Sequence, residues 1–212
     1  KNMKKKLSII FFLLTMLLLS VNIYAEMNVT VAQNADAKTL DPTASNDVPS
    51  HRVTLQIYDT LVERDHGKLV PGLAESWTQV DPLTLDVKIR KNIKFHNGDP
   101  LTVGDVVFSL QKAKDAPSMM SFYSDIDKIE AIDDETVRIT TKKPFGPLVN
   151  YLAHKGAGIM SEKVVKAAGD NYGQHPVGTG PFMFDSWVSA DRIVLKANPD
   201  YYKGKPAIDT LV

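Results

Sequence analysis

The chain of 212 residues predicts a mixed α/β fold, on three observations. Leu85, Val87 and Ile89 alternate with Asp86, Lys88 and Arg90, and Ile193, Leu195 and Ala197 repeat the pattern, the period of two that marks a half-buried strand. Val103, Val106, Val107 and Leu110 stand at i, i+3, i+4 and i+7, one apolar face of a helix. The composition, 43% hydrophobic and 24% charged, is that of an ordinary globular protein and excludes disorder, collagen or coiled coil for the whole chain.

Taken in order, the first segment is an export signal. Residues 1–6 hold Lys1, Lys4, Lys5 and Lys6 and no acid, and Leu7 to Val21 runs for 15 residues without a charge. That run is short of the roughly 20 residues needed to cross a bilayer. Asn22-Ile23-Tyr24-Ala25 follows as a polar stretch ending in a small residue, so cleavage is expected after Ala25. The competing reading is an uncleaved anchor, and a buried core helix ranks below it because the run has no polar face. With no cysteine at the cleavage point a lipoprotein anchor is ruled out, and the mature protein is expected to be free in the periplasm.

Beyond residue 25 the spacing predicts a strand over Asn28–Gln33, interrupted at Leu40-Asp41-Pro42-Thr43. Ser50 is placed to cap a helix carrying Val53, Ile57 and Leu61. Asn97-Gly98-Asp99-Pro100 predicts a turn, Thr102 and Asp105 form a capping-box pair for the next helix, and Asp133-Asp134-Glu135 turns into a strand around Val137 and Ile139. Ser161 and Gly169 bracket a short helix as its two caps. Ile208 to Val212 reads as a strand entry with no breaker after it, which suggests part of a longer protein.

Charge and motif content narrow the function. Lys and Arg total 25 against 25 Asp and Glu, and outside the leader acids exceed bases, so no basic excess exists to hold nucleic acid. Zero cysteines exclude disulfides, thiolate metal sites and cysteine nucleophiles. The nucleophile-elbow, zinc-protease and phosphate-loop motifs are all missing, and the five histidines (His51, His66, His96, His154, His175) have no metal-ligand spacing, so neither a catalytic residue nor a bound metal or cofactor is expected. His96, at a strand end before a turn, reads as structural. Gly178-Thr179-Gly180-Pro181 reads as a tight turn into a sheet, not a nucleotide loop. Trp77 and Trp187 read as core residues before ligand platforms. Met119, Met120, Phe122 and Tyr123 form an apolar cluster on an apparent loop, and neighbours on a loop cannot all point into one core. Adaptable apolar surface of that kind suits the wall of a binding pocket.

Seven segments then point together to a known group. They are Thr39-Leu40-Asp41-Pro42, Ile57-Tyr58-Asp59-Thr60-Leu61, Pro71-Gly72-Leu73-Ala74-Glu75-Ser76-Trp77, Ile93-Lys94-Phe95-His96-Asn97-Gly98, Leu101-Thr102-Val103-Gly104-Asp105-Val106, Pro176-Val177-Gly178-Thr179-Gly180-Pro181-Phe182, and Tyr201-Tyr202-Lys203-Gly204-Lys205-Pro206-Ala207-Ile208-Asp209. In this order they resemble the family 5 solute-binding proteins of ABC importers, the dipeptide, oligopeptide and nickel-binding group. Asn150-Tyr151-Leu152-Ala153-His154 is similar to members that bind glutathione or short peptides.

The resemblance implies an α/β receptor of the periplasmic-binding-protein type II kind, whose two lobes close on a ligand, with only the first lobe and its extra subdomain present here. By this reading the first lobe comprises 26–65 and 176–212, with the subdomain inserted at 66–175. The acidic residue that holds a peptide's ammonium in such receptors lies in the other lobe. The resemblance places the loop of Ser45, Asn46, Asp47 and Val48 against the ligand, with the Met119–Tyr123 segment covering it. It implies a short-peptide ligand, membrane permease and ATPase partners, and no chemistry; a receptor for a nickel complex or haem is the alternative within the same fold.

The leader yields a direct test. N-terminal sequencing of the exported protein is expected to read Glu26-Met27-Asn28-Val29, and recovery of the intact apolar run in the membrane fraction would overturn the cleavage site.

Overall fold

The structure, a computed structural model, describes residues 26–212, and the leader reading lies outside them. The elements run β1 (Asn28–Val29), α1 (Val48–Ile57), β2 (Val62–Asp65), β3 (Lys68–Pro71), β4 (Ala74–Asp81), β5 (Thr84–Ile89), α2 (Val103–Asp115), α3 (Met120–Tyr123), β6 (Ile126–Ala131), β7 (Thr136–Thr141), α4 (Leu148–Tyr151), α5 (Glu162–Ala168), β8 (Phe182–Val188), β9 (Arg192–Ala197) and β10 (Thr210–Leu211). Short 3₁₀ turns occupy Pro117–Met119, Lys155–Ala157 and Gly169–Gln174.

Two four-stranded sheets divide these strands. The middle of the chain builds one in the order β4-β5-β7-β6, every pair antiparallel. The two ends build the other in the order β1-β10-β9-β8, with β1 parallel to β10. The hairpin β2-β3 stands between them in sequence.

In the middle sheet, Leu85, Val87, Ile89, Val137 and Ile139 turn one face inward and are almost fully buried, as their alternation requires. Helix α2 covers that face with Val103, Val106, Leu110 and Ala113. It starts where expected: Thr102 Oγ1 accepts from Asp105 N–H at 3.2 Å, and Asp105 Oδ2 accepts from Thr102 N–H at 3.0 Å. Asp105 also accepts Glu162 N–H through its other oxygen, while Ser109 Oγ accepts Met160 N–H, so α2 fixes the entry to α5. Ser161 and Gly169 cap α5 as the sequence indicated. A second core, holding Leu40, Ile57, Tyr58, Met160, Tyr172, Phe182 and Leu195, joins α1 to the end sheet.

Two elements differ from the sequence reading, at three points. The first strand is only two residues long, because its ladder with β10 has two rungs; past it, Val31 N–H donates to the Val212 carbonyl and Ala32 and Gln33 lie outside any strand. Helix α1 is capped by Asp47, not Ser50. The Asp47 carboxylate accepts from Ser50 N–H at 2.9 Å, and Pro49 fits the first turn, where its missing N–H costs nothing. Ser50 instead receives Lys38 N–H on its hydroxyl. The same helix ends at Ile57, where Tyr58 turns extended, so Leu61 lies beyond it and packs in the other core.

The junction between the two cores is built from the segments that carried the resemblance. The Ile57 carbonyl accepts Gly180 N–H at 2.9 Å. A β-carbon at either Gly178 or Gly180 would overlap the Ile57 peptide, so both positions demand glycine. His96 sits against this turn: its backbone N–H donates to Gly178 O at 2.9 Å and its Nε2 to Gly180 O at 3.0 Å. Burial lowers its pKa, the Gly180 bond opposing, which keeps it a neutral structural residue. Asn198 Nδ2 also donates to Gly180 O, and Asn198 N–H to Pro181 O.

Asp59 closes the junction. Its two oxygens accept from Thr179 Oγ1 and from the Tyr201 hydroxyl, each at 2.9 Å, and it is 6% exposed. The neighbouring Lys203 is paired with Glu63. Burial raises the Asp59 carboxyl to about 6, against the lowering effect of the two hydroxyl donors.

A folded-state pKa above the unfolded one means that the folded state binds the proton more tightly. This contribution to stability is therefore complete below the ordinary value of 3.8 and is lost as pH rises towards 6. Urea unfolding from pH 4 to 7 is expected to show Asp59→Asn gaining roughly 2–3 kcal/mol on the native protein across that window. Parallel stability curves for the two proteins would contradict it.

Candidate functional site

The 41–48 loop is fastened at both ends before it offers anything to a ligand. Asp41 and Thr43 are tied to helix α2 by Lys112, whose Nζ lies 2.8 Å from Asp41 Oδ2 and 2.9 Å from Thr43 Oγ1. Ser118 Oγ donates to Thr43 O at 2.5 Å, which brings the 117–123 segment against the same loop. The two stretches singled out in the sequence, 45–48 and 119–123, are thus held side by side.

Their side chains face different ways. Asn46 and Val48 are exposed, Val48 by 56%, whereas Asp47 is occupied: its carboxylate accepts from Ser45 Oγ, Ser50 N–H and Ser50 Oγ. Burial acts to raise its pKa, but the bonds from Ser45 and Ser50 outweigh this and hold it below the ordinary range, so it stays an anion that caps α1.

The 119–123 segment is helical, not an open loop: a 3₁₀ turn runs directly into α3. Helical spacing sends Met119 and Tyr123, four apart, into the core, where both are fully buried. Tyr123 donates its hydroxyl to Tyr151 O at 2.7 Å. Met120 (57% exposed) and half-buried Phe122 are left on the outer side.

Two histidines far apart in sequence meet here, a convergence that spacing could not show. The rings of His51 on α1 and His154 after α4 stand edge to face with centroids 5.9 Å apart. Phe122 lies over His154 at 4.2 Å, tilted by 30°, and packs edge-on against Tyr151 at 5.3 Å. His51 Nε2 is 3.1 Å from Asn46 Oδ1, and its buried Nδ1 has no hydrogen-bond partner among the described residues. His154 Nδ1 accepts Gly156 N–H at 3.1 Å and so caps the Lys155–Ala157 turn.

Both histidines are held neutral. Burial lowers the His51 pKa, with Lys155 adding to the effect and Asp47 opposing it. Burial, then His51, then Lys155 bring His154 down to about 4. The result is an uncharged pair of rings covered on one side by Phe122, with Asn46 at hydrogen-bond distance from His51 and Lys155 next to His154 in the chain. Two groups of histidine are too few for a metal site, and among the described residues no cluster of three or more metal-ligating side chains occurs. Cavities open elsewhere: one of about 510 Å³ beside Thr43, Lys112 and Ser118, and one of about 730 Å³ between 30–36, α1 and β9. Trp77 packs on the first core and Trp187 on the second, where its indole donates to Asp36 at 3.2 Å.

Comparison with known proteins places this architecture. The model for bacterial extracellular solute-binding proteins, family 5 Middle, matches residues 68–212. The chain belongs to this family of solute-binding proteins, and its mixed α/β fold is that of periplasmic binding proteins. Among its relatives, the glutathione-binding protein GsiB of Escherichia coli O6:K15:H31 is 38% identical over 194 residues, which is 89% of this chain and 38% of GsiB. The chain thus spans well under half of the curated relatives it matches. Of solved structures, MoaA of A. tumefaciens R10 with mannopinic acid superposes with a TM-score of 0.82 at 33% identity, covering 88% of this chain and 40% of that one. The periplasmic binding protein DppA of Helicobacter pylori with the peptide STSA gives 0.78 at 30% identity, covering 88% and 42%. Among the described residues no helix is long and apolar enough to cross a membrane.

Because Asp47 spends its carboxylate on the helix start, Asp47→Ala is expected to lower stability by about 1 kcal/mol. Asp47→Asn is expected to restore most of it, as measured by denaturant unfolding. Equal losses in the two variants would remove the capping role.

Proposed function

We propose that this chain is the ligand-capturing part of an exported receptor for short peptides, glutathione-like ones included, that delivers them to the permease and ATPase subunits of an ABC importer. The observation that carries this reading is the 38% identity to GsiB across 89% of the chain. The likeness to DppA holding STSA and to Haemophilus influenzae OppA holding RPPGFSPFR, the latter at 28% identity, supports a peptide class. Residues 26–65 and 176–212 serve as the first lobe and 66–175 as its inserted subdomain. The receptor works in the periplasm and binds without turning its ligand over.

The candidate wall suits this task. Asn46, Val48, Met120 and Phe122 combine exposed apolar contact with a polar edge, and a peptide needs both: main-chain hydrogen bonds for affinity and adaptable surface for its side chains. A second reading, an organic acid such as mannopinic or agropinic acid, is favoured by the 33% identity to MoaA with mannopinic acid and to AgaA with agropinic acid. The nickel-complex alternative draws only on the fold, since NikZ is 24% identical.

Calorimetry of the whole protein with glutathione, a tripeptide and a tetrapeptide is expected to show binding with no hydrolysis. Phe122→Ala is expected to weaken it by about 1–2 kcal/mol, the scale of a partly buried aromatic contact. Binding of mannopinic acid with no response to any peptide would select the second reading.

A further inference from the structure

We propose that His154 is a fixed, neutral hydrogen-bond donor of the binding wall, presenting its Nε2–H to an acceptor oxygen of the bound ligand. The inference deepens the receptor reading above and rests on it for the location of the ligand.

The tautomer follows from the bonds. His154 Nδ1 accepts the Gly156 amide, so it carries the lone pair and the single ring hydrogen of the neutral imidazole sits on Nε2. That hydrogen makes no bond within the described residues, and the His154 ring is only half-buried, whereas His51 is 3% exposed. The ring cannot easily turn to hide it. Phe122 lies across its face, His51 stands against it at 89°, and the Gly156 bond pins the opposite nitrogen. A donor so restrained loses little freedom when a ligand arrives, which favours recognition.

The charge state is set by the same neighbours. The titratable and charged groups around His154 are His51 from α1, with Asp47 behind it, and Lys155 from its own turn; α3 contributes uncharged Phe122. Protonation would add a hydrogen to Nδ1, facing the Gly156 N–H, and would place a cation beside Lys155. The group therefore stays a neutral donor through the range from pH 5 to 8. A peptide carbonyl or a carboxylate is the acceptor it fits. Lys155 at the rim favours the carboxylate.

Two variants separate the donor from the scaffold. His154→Asn keeps an oxygen near the Nδ1 position for Gly156 and removes the Nε2 donor; His154→Gln returns an amide N–H near the Nε2 position. Calorimetry at pH 7 with glutathione, trialanine, trialanine amide and mannopinic acid is expected to show about tenfold weaker binding in the Asn variant, the loss of one hydrogen bond, and partial recovery in the Gln variant. Nitrogen-15 NMR of the native protein is expected to show the Nε2–H tautomer from pH 8 to 5 and a ligand-induced shift at Nε2. A larger shift with trialanine than with its amide identifies a carboxylate acceptor, and equal shifts identify a carbonyl. If peptides bind and Nε2 does not move, or if the hydrogen resides on Nδ1, the donor inference falls and the peptide reading stands. If only mannopinic acid binds and shifts Nε2, the peptide reading falls and the donor stands. If no probe binds, both fall.

Discussion

The close approach of the 178–180 backbone to the end of helix α1 is the constraint on which the rest of the structure depends. The Ile57 carbonyl has left its helix ladder and needs a donor, and Gly180 N–H supplies it at 2.9 Å. The distance is possible only because neither Gly178 nor Gly180 has a side chain. From that contact the turn leads straight into β8, while Asp59, two residues beyond Ile57, takes hydroxyls from the turn and from Tyr201. His96 and Asn198 seal it from two further sides. Four stretches of chain, separated by up to 142 residues, are thereby fixed to one another by backbone and polar side chains. Such contacts tolerate far less substitution than apolar packing, which accepts other shapes of similar volume.

Helix α1 transmits this anchoring to the candidate wall. Its far end is the Asp47 cap, and the loop before it is drawn onto α2 by Lys112. His51 lies one turn into the helix, so the position of its ring is set by the same rigid body that begins at Asp47 and ends at the glycine turn. Across from it, His154 is fixed by the short turn that it caps. The candidate wall is therefore built on helix ends and a capped turn, not on a free loop.

The two buried polar centres are handled in opposite ways. Among the described residues Asp59 has no ammonium partner of its own, and it meets the cost of burial with two hydroxyl donors and a raised pKa. The histidine pair avoids the cost by remaining neutral: burial and then Lys155 disfavour a charge on His51, and burial, then His51, then Lys155 disfavour one on His154. The first arrangement belongs to the frame. The second leaves the half-buried His154 ring as an uncharged polar surface beside the buried His51.

Much of the local structure was legible in the residues alone. The alternation of Leu85, Val87 and Ile89, the Thr102–Asp105 box and the Ser161 and Gly169 caps each depend on neighbours within a few residues, and each appears as read. The order of seven short segments likewise determined the family. Tertiary structure alone decided what depends on distant partners. It shortened β1 to the two rungs that β10 provides and committed the Ser50 hydroxyl to Lys38 N–H, twelve positions earlier, which leaves the start of α1 to Asp47. It also turned Met119 and Tyr123 into the core by winding their segment into a helix. The meeting of His51 with His154 was invisible for the same reason: 103 positions separate them, and only the packing of α1 against the turn after α4 brings two rings of ordinary spacing into one site.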